Sequence, residues 1–382
     1  MKSRNDLTYG RISEDELQRL RSRIGVKFTD RRPWITLISS DAIRHWAYGI
    51  GDDNPLWLDE EYARKTHYGG ITAPATILYA CDRVAGGYVG GLPGVQAMYS
   101  GTNWEWLKII RENDRIEGIS VLKDLVEKKS QFAGRAIQQI YETTFTNQNG
   151  EVVAQAESWC FRTERDIAAK KGKYLDKVKE LKRWSPEELN KLWEHYKTEV
   201  ERRRGATARY WEEVEVGEEL PSLVKGPFTP MSGVAFVQGW GGFYIHGDRI
   251  AWREYIERHP GMAPPDELRI PQGPIRVHWD NEFARKVGVP GAYDYGPQRV
   301  SWLAHLLTDW MGDDGFLKTL NARVSGFNLW GDVQFIKGKV LEKSRLGKER
   351  VAKIKVWSEN QRGEVTAEGH GEIVLPSRGP LN

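Results

Sequence analysis

The chain has 382 residues, 40% hydrophobic and 29% charged, enough to bury the cores of about two domains while keeping a hydrated surface. Lys and Arg number 56 against 53 Asp and Glu, for a net charge of +3, and this near balance argues against nucleic acid as the main partner, since phosphate binding needs a clustered cationic excess. No run approaches the ~18 apolar residues of a membrane helix. The N-terminus lacks a signal peptide's apolar stretch, and Cys81 and Cys160 sit in no CxxC pair or metal-ligand spacing. These features point to a soluble cytoplasmic protein with buried, reduced thiols.

In chain order, an apolar helical run (Trp46, Ala47, Tyr48, Ile50) ends at Gly51 and Asp52 and is followed by Asp53, Asn54, Pro55 and the segment Trp57 to Lys65 (WLDEEYARK). A Gly-rich turn then leads into a long apolar helix expected over Gly69 to Ala80. The glycines from Gly86 to Gly94 follow that helix without a Lys-Ser/Thr pair, so they read as a flexible loop, not a phosphate cradle. Strands are expected over Ala136 to Phe145 and Glu151 to Phe161, joined by a turn at Asn147 to Gly150. From about Arg165 to Arg204 the chain is dense in Lys, Arg and Glu, with apolar residues at helical spacing (Tyr174, Val178, Leu181; then Leu189, Leu192, Trp193, Tyr196). Ser185 and Pro186 mark a helix start within this stretch. A charged helical linker is the simple reading.

Past the linker, a second apolar run (Phe236, Val237, Trp240, Phe243, Tyr244, Ile245) ends at Gly247 and Asp248. The segment Ile250 to Pro271 has the Pro, Gly and charge of a surface insertion. His278 to Lys286 (HWDNEFARK) follows, then a long helix expected from Gly291 to Trp310 and a hairpin built from Val351 to Trp357 and Glu364 to Ala367.

Two of these segments repeat earlier ones. Trp57 to Lys65 matches His278 to Lys286 at an offset of 221, and Asn147 to Ala154 (NQNGEVVA) matches Asn360 to Ala367 (NQRGEVTA) at an offset of 213. Two matches in one order at nearly one offset define a duplicated domain. The expected units are residues 1–164, a linker over 165–205, and residues 206–382. In each half a helix followed by a strand meander implies an α+β fold, a tandem hot-dog with an antiparallel sheet wrapped around a long central helix.

The motifs carry a family resemblance. Asp52, Asn54, Pro55, Asp59 and Ala63 resemble the Asp-x-Asn-Pro-x-His run of MaoC-like (R)-specific enoyl-CoA hydratases and dehydratases, with Trp57 at the His position and Pro74-Ala75 in place of a terminal His-Gly. The second half keeps His278, Asp280, Ala284 and Gly296 but has Gly273 where the acid belongs by offset. Trp211 to Pro221 (WEEVEVGEELP) is similar to the stretch that opens the family's domain. The first half has the character of a FAS1-like dehydratase domain.

The resemblance implies hydration of a 2-enoyl-CoA, or dehydration of a 3-hydroxyacyl-CoA, with no cofactor or metal and with the coenzyme A thioester as substrate. If Gly247-Asp248 corresponds to Gly51-Asp52, then Asp248 and His278 are the acid–base pair of the second half, and Gly296 at a helix start offers a backbone N–H to the thioester oxygen. Asp52 is a further candidate acid or a turn carboxylate. Arg299 and Arg323 are candidates for coenzyme A phosphates, with surface solvation as the plainer reading. His67 and His246 read as incidental. A homodimer, or a hetero-oligomer with a second MaoC-like chain, is the expected assembly. A hot-dog thioesterase and a non-catalytic acyl-CoA-binding subunit that completes a partner's site remain open as alternatives.

Overall fold

The computed structural model describes residues 10–30, 32–130, 134–164, 181–242, 245–259 and 263–379. Ten antiparallel strands form one sheet: β1 (Lys27–Thr29), β2 (Gln96–Trp106), β3 (Glu117–Ser130), β4 (Gly134–Thr146), β5 (Val152–Thr163), β6 (Glu219–Lys225), β7 (Phe316–Val324), β8 (Gln334–Leu346), β9 (Glu349–Asn360) and β10 (Val365–Val374). Their order is β1-β3-β4-β5-β2-β7-β10-β9-β8-β6. Read from the two ends, the order is the same: the first five strands and the last five are one pattern turned about a two-fold axis at the seam. There β2 and β7 pair from Gly101 opposite Arg323 to Glu105 opposite Thr319, with Asn103 facing Asn321. The seam gives each half a neighbour for what would be an open sheet edge.

The repeated sequences fold alike down to single bonds. Asn147 Oδ1 accepts from the backbone N–H groups of Asn149 and Glu151 while its Nδ2 donates to Glu151. Asn360 makes the same three bonds with Arg362 and Glu364. Asp59 caps a short helix by accepting from Tyr62 N–H, and Asp280 does so from Phe283 N–H. Of the linker, residues 165–180, including Tyr174 and Val178, lie outside the described residues. The helix start at Ser185 is formed, with a reciprocal capping box to Glu188 that opens helix Pro186–Lys197.

Helices Ser40–Ile50 and Pro230–Trp240 are also partners under the duplication. Ser39 caps the first and Thr229 the second, and each ends at a left-handed glycine, Gly51 or Gly241. They cross backbone to backbone: a Cβ on Gly49 would lie 2.9 Å from the Ala235 carbonyl oxygen, and one on Gly239 would lie 2.8 Å from that of His45. Only glycine permits that approach from both sides.

The halves differ where the long helix belongs. In the second half, helix Gly296–Met311 runs through the core with every residue from Pro297 to Met311 buried. In the first half the helix expected over Gly69 to Ala80 does not form; six residues, Ala75–Ala80, make a 3₁₀ turn. Pro74 bars the helix on one side, lacking an N–H and disfavouring helical backbone before it. On the other side the Asp82 carboxylate accepts from the N–H groups of Val84 and Ala85 and turns the chain away. Aromatic packing fills the space instead: Trp104 stacks on Trp106 at 5.3 Å and meets Tyr79 edge-on at 5.0 Å.

Candidate functional site

The duplication produces two candidate sites, one for each copy of the Trp57/His278 position. The site of the second half is a cavity of about 1290 Å³, above the usual range for a small-molecule pocket. Both halves build it. The first contributes Gly86 to Ser100, and the second contributes Tyr255, His259, His278, Tyr295, Gly296 and Phe327. Two expectations change here. The Gly86 to Gly94 segment is anchored: the buried Arg162 guanidinium donates to the carbonyls of Gly90, Gly91, Leu92 and Val95. The Ile250 to Pro271 insertion is more than surface, since its Tyr255 and His259 form part of the cavity wall.

His278 closes a short 3₁₀ turn, Pro274–His278, that feeds the capped helix at Asp280. Its Nδ1 lies 2.8 Å from the Tyr293 carbonyl oxygen. A carbonyl only accepts, so Nδ1 carries the hydrogen and Nε2 keeps its lone pair. The ring lies against Tyr295 at 4.0 Å between centroids. Burial pushes the imidazole pKa down from 6.5 to about 4, so it is neutral across the physiological range. Beside it Gly296 starts the central helix, and no side chain caps that start. The first N–H groups of a helix lack intrahelical acceptors and sit at the positive end of its dipole. A methyl group at Gly296 would overlap the Tyr99 ring, so glycine is a condition of the packing here.

Asp248 does not join this site. It is exposed at the start of a four-residue helical turn, with a left-handed φ of 50°, and no hydrogen bond or ion pair links it to His278. The reason lies in the helix crossing. Gly51 and Gly241 end equivalent helices, so the residue equivalent to Asp52 is Gly242, not Asp248. The assumed pairing of Gly247-Asp248 with Gly51-Asp52 was offset by six residues along the chain. Among the described residues that line the cavity there is no Asp or Glu. Asp294, between the lining residues Tyr293 and Tyr295, is fully buried and ion-paired with Arg299 at 3.1 Å, also accepting from Asn328; burial raises its pKa to about 6.

Arg299 is therefore internal: besides Asp294 it donates to the carbonyls of Gly326 and Thr366. Arg323 is exposed and paired with Glu368 across the β7–β10 ladder. His67 is exposed beside Asp314 at 3.1 Å, and His246 is exposed. Both cysteines are free and buried, and burial raises both thiol pKa values, that of Cys160 to about 12.

The first-half site is nearly closed. Its cavity holds about 40 Å³, lined by Trp57, Tyr68, Ala75, Trp106, Thr308 and Met311 among others. Trp57 occupies the histidine position and donates from Nε1 to Asp52 Oδ2 at 3.0 Å. Asp52 is buried and also accepts from Asn54 N–H, so Asn54 and Asp52 hold the Asp-Asn-Pro turn. Asp52 faces the second half: its Oδ1 lies 3.5 Å from His305 Nε2, and His305 lies 3.3 Å from Asp309 one helical turn on. Arg203, from the end of the linker, pairs with both Asp309 and Asp53. Sequence reasoning missed His305 and Asp309. The available signal was two ionisable residues, four apart, within the mostly apolar stretch Trp302 to Met311.

Comparisons with known proteins agree with this architecture. The profile of the FAS1-like dehydratase domain region matches residues 22–156. A probable enoyl-CoA hydratase alpha subunit of Thermomonospora curvata is 37% identical over 67 residues, which cover 18% of this chain and 21% of that protein. Among solved structures, a MaoC-like dehydratase superposes with a TM-score of 0.63 at 18% identity, covering 94% of this chain and 99% of that one. A Mycobacterium tuberculosis protein described as a double hotdog fold superposes at 0.53 with 10% identity, covering 92% and 96%. The sheet, its seam and the paired sites define a double hot-dog protein. Residues 22–156 resemble the FAS1-like dehydratase domain region, and the whole chain shares its fold with a MaoC-like dehydratase. No helix among the described residues is long and apolar enough to cross a membrane.

Proposed function

We propose that the chain is an acyl-CoA hydro-lyase that interconverts a 2-enoyl thioester and its 3-hydroxyacyl form in the large cavity. The observation that carries this reading is the juxtaposition, in one cavity, of an imidazole with a free Nε2 lone pair and an uncapped helix start at Gly296. With no carboxylate among the described residues that line the cavity, a single group moves the proton. His278 Nε2 takes a proton from water as the oxygen bonds to C3. The electron pair of the double bond shifts onto the thioester, whose oxygen gains charge and is held by the N–H groups at the helix start. The imidazolium then returns the proton to C2, the C–H bond forms, and the imidazole is neutral again. Dehydration is the same path reversed.

The missing acid favours one second reading: the cavity is completed by a carboxylate from another chain, a second copy or a MaoC-like partner. An assay on the purified protein separates the possibilities. Loss of enoyl absorbance without free thiol supports the hydro-lyase, and thiol release supports a thioesterase. Hydration that appears only after a partner chain is added supports the completed site. Wild-type protein that does none of these with any 2-enoyl-CoA sinks the proposal.

A further inference from the structure

We propose that Asp52, His305 and Asp309 form a divalent-cation site of the zinc type, buried between the two halves, that ties the first half to the central helix of the second.

The three donor atoms converge. His305 Nε2 lies 3.3 Å from Asp309 Oδ2 and 3.5 Å from Asp52 Oδ1, and all three lie within 4.8 Å of one another. Donors bound to zinc at ~2.0–2.2 Å in a tetrahedron stand about 3.4 Å apart, so two of the three separations already suit a shared ion. His305 and Asp309 are one turn apart on one helix, which places both donors on the same face.

The bonding around the trio points inward as well. The His305 side chain is fully buried, yet neither ring nitrogen has a hydrogen-bond partner, and Asp309 Oδ2 has none either. Leaving buried polar atoms bare is costly, and a cation bound by Nε2 and Oδ2 removes that cost at those two atoms. Meanwhile the outer oxygens are held from behind. Arg203 donates to Asp309 Oδ1 at 2.9 Å, and Trp57 donates to Asp52 Oδ2 at 3.0 Å. Such outer partners, which leave one carboxylate oxygen facing the centre, are what orient metal ligands.

Charge gives an independent argument. The buried carboxylates of Asp52 and Asp309 stand against one guanidinium, Arg203, which is also shared with the exposed Asp53. A cation held between Asp52 and Asp309 supplies the positive charge that the guanidinium alone does not. The role of Trp57 follows: the position that carries the imidazole in the second half here carries a group that steadies Asp52.

All three donors are buried, so the ion enters as the halves come together on folding and exchanges slowly afterwards. The test uses the full chain produced with added zinc, dialysed against chelator, and measured for metal by mass spectrometry. About one zinc per chain is expected, together with the visible absorption of a four-coordinate site when cobalt replaces zinc. His305→Ala should reduce both signals at least ~10-fold. Should that variant not fold by circular dichroism, Asp309→Asn, which keeps shape and an acceptor for Arg203, serves in its place. Wild-type protein with less than ~0.1 equivalent overturns the proposal and assigns the trio to a protonated imidazole between carboxylates. Zinc retained in full by both variants overturns it too.

Discussion

The two copies of one motif in this chain have diverged in opposite directions. At the first, the acid Asp52 is present, the imidazole position holds Trp57, and the cavity is about 40 Å³. At the second, His278 is present, the acid position holds Gly242, and the cavity is about 1290 Å³. The long helix follows the same division, present under the open site and cut to a six-residue turn beside the closed one. The difference shows how one copy of a duplicated fold can close while the other keeps a cavity. The closed copy becomes packing and charge that anchor the central helix, and the open copy borrows the wall Gly86 to Ser100 from its neighbour.

That contrast can be broken by mutation. The largest expected effect is at His278: replacement by Ala should lower kcat/KM at least ~100-fold while the protein stays folded. Turnover within a few-fold of wild type would mean the open copy is not the catalytic one. Next is Gly296→Ala, whose methyl group meets the Tyr99 ring. It should cost ~1–3 kcal/mol by denaturant unfolding and lower kcat as the helix start shifts. Unchanged stability would show that Tyr99 yields freely.

The helix crossing sharpens the symmetry itself. Gly49→Ala and Gly239→Ala introduce the same clash from opposite sides, so each should destabilise by ~1–3 kcal/mol and by amounts that agree within about 0.5 kcal/mol. A large inequality would show that one half tolerates the shift and the other does not.

Titration separates the copies in another way. His278 has a folded pKa of about 4 against 6.5 ordinarily, so between these values the unfolded chain takes up a proton that the folded protein refuses. Its contribution to stability is full above 6.5 and is lost as pH falls toward 4, by up to ~3 kcal/mol. Over the same range the buried Asp294, raised to about 6, acts with the opposite sign. The loss assigned to His278 is the part that disappears from the pH–stability curve in His278→Ala. The rate should likewise hold steady through neutrality and drop only near pH 4, as the base is protonated; a fall centred near 6.5 would show a solvated imidazole. The smallest effect is at Asp248→Asn, which should leave turnover within ~2-fold because the side chain is exposed and outside the cavity. A loss of ~10-fold or more would restore Asp248 to the site.

Much of this was legible in the residues. Repeats at Trp57/His278 and Asn147/Asn360 gave two copies of one fold, because each encodes local hydrogen bonds that need no distant partner: an Asp that caps a helix, an Asn that closes a turn. The position of His278 and the long apolar helix behind Gly296 were readable for the same reason. What the chain alone did not reveal is which groups meet across the molecule. Helix ends at Gly241 and at Gly247 look equally plausible in a string of letters, and only the backbone contact of Gly49 with Gly239's helix shows that the first is equivalent to Gly51. The meeting of Asp52 with His305, far apart in sequence, depends on the β2–β7 seam bringing the two halves together. Periodicity and capping are properties of neighbouring residues. The charge and volume of a site are set by side chains that only the closed sheet brings together.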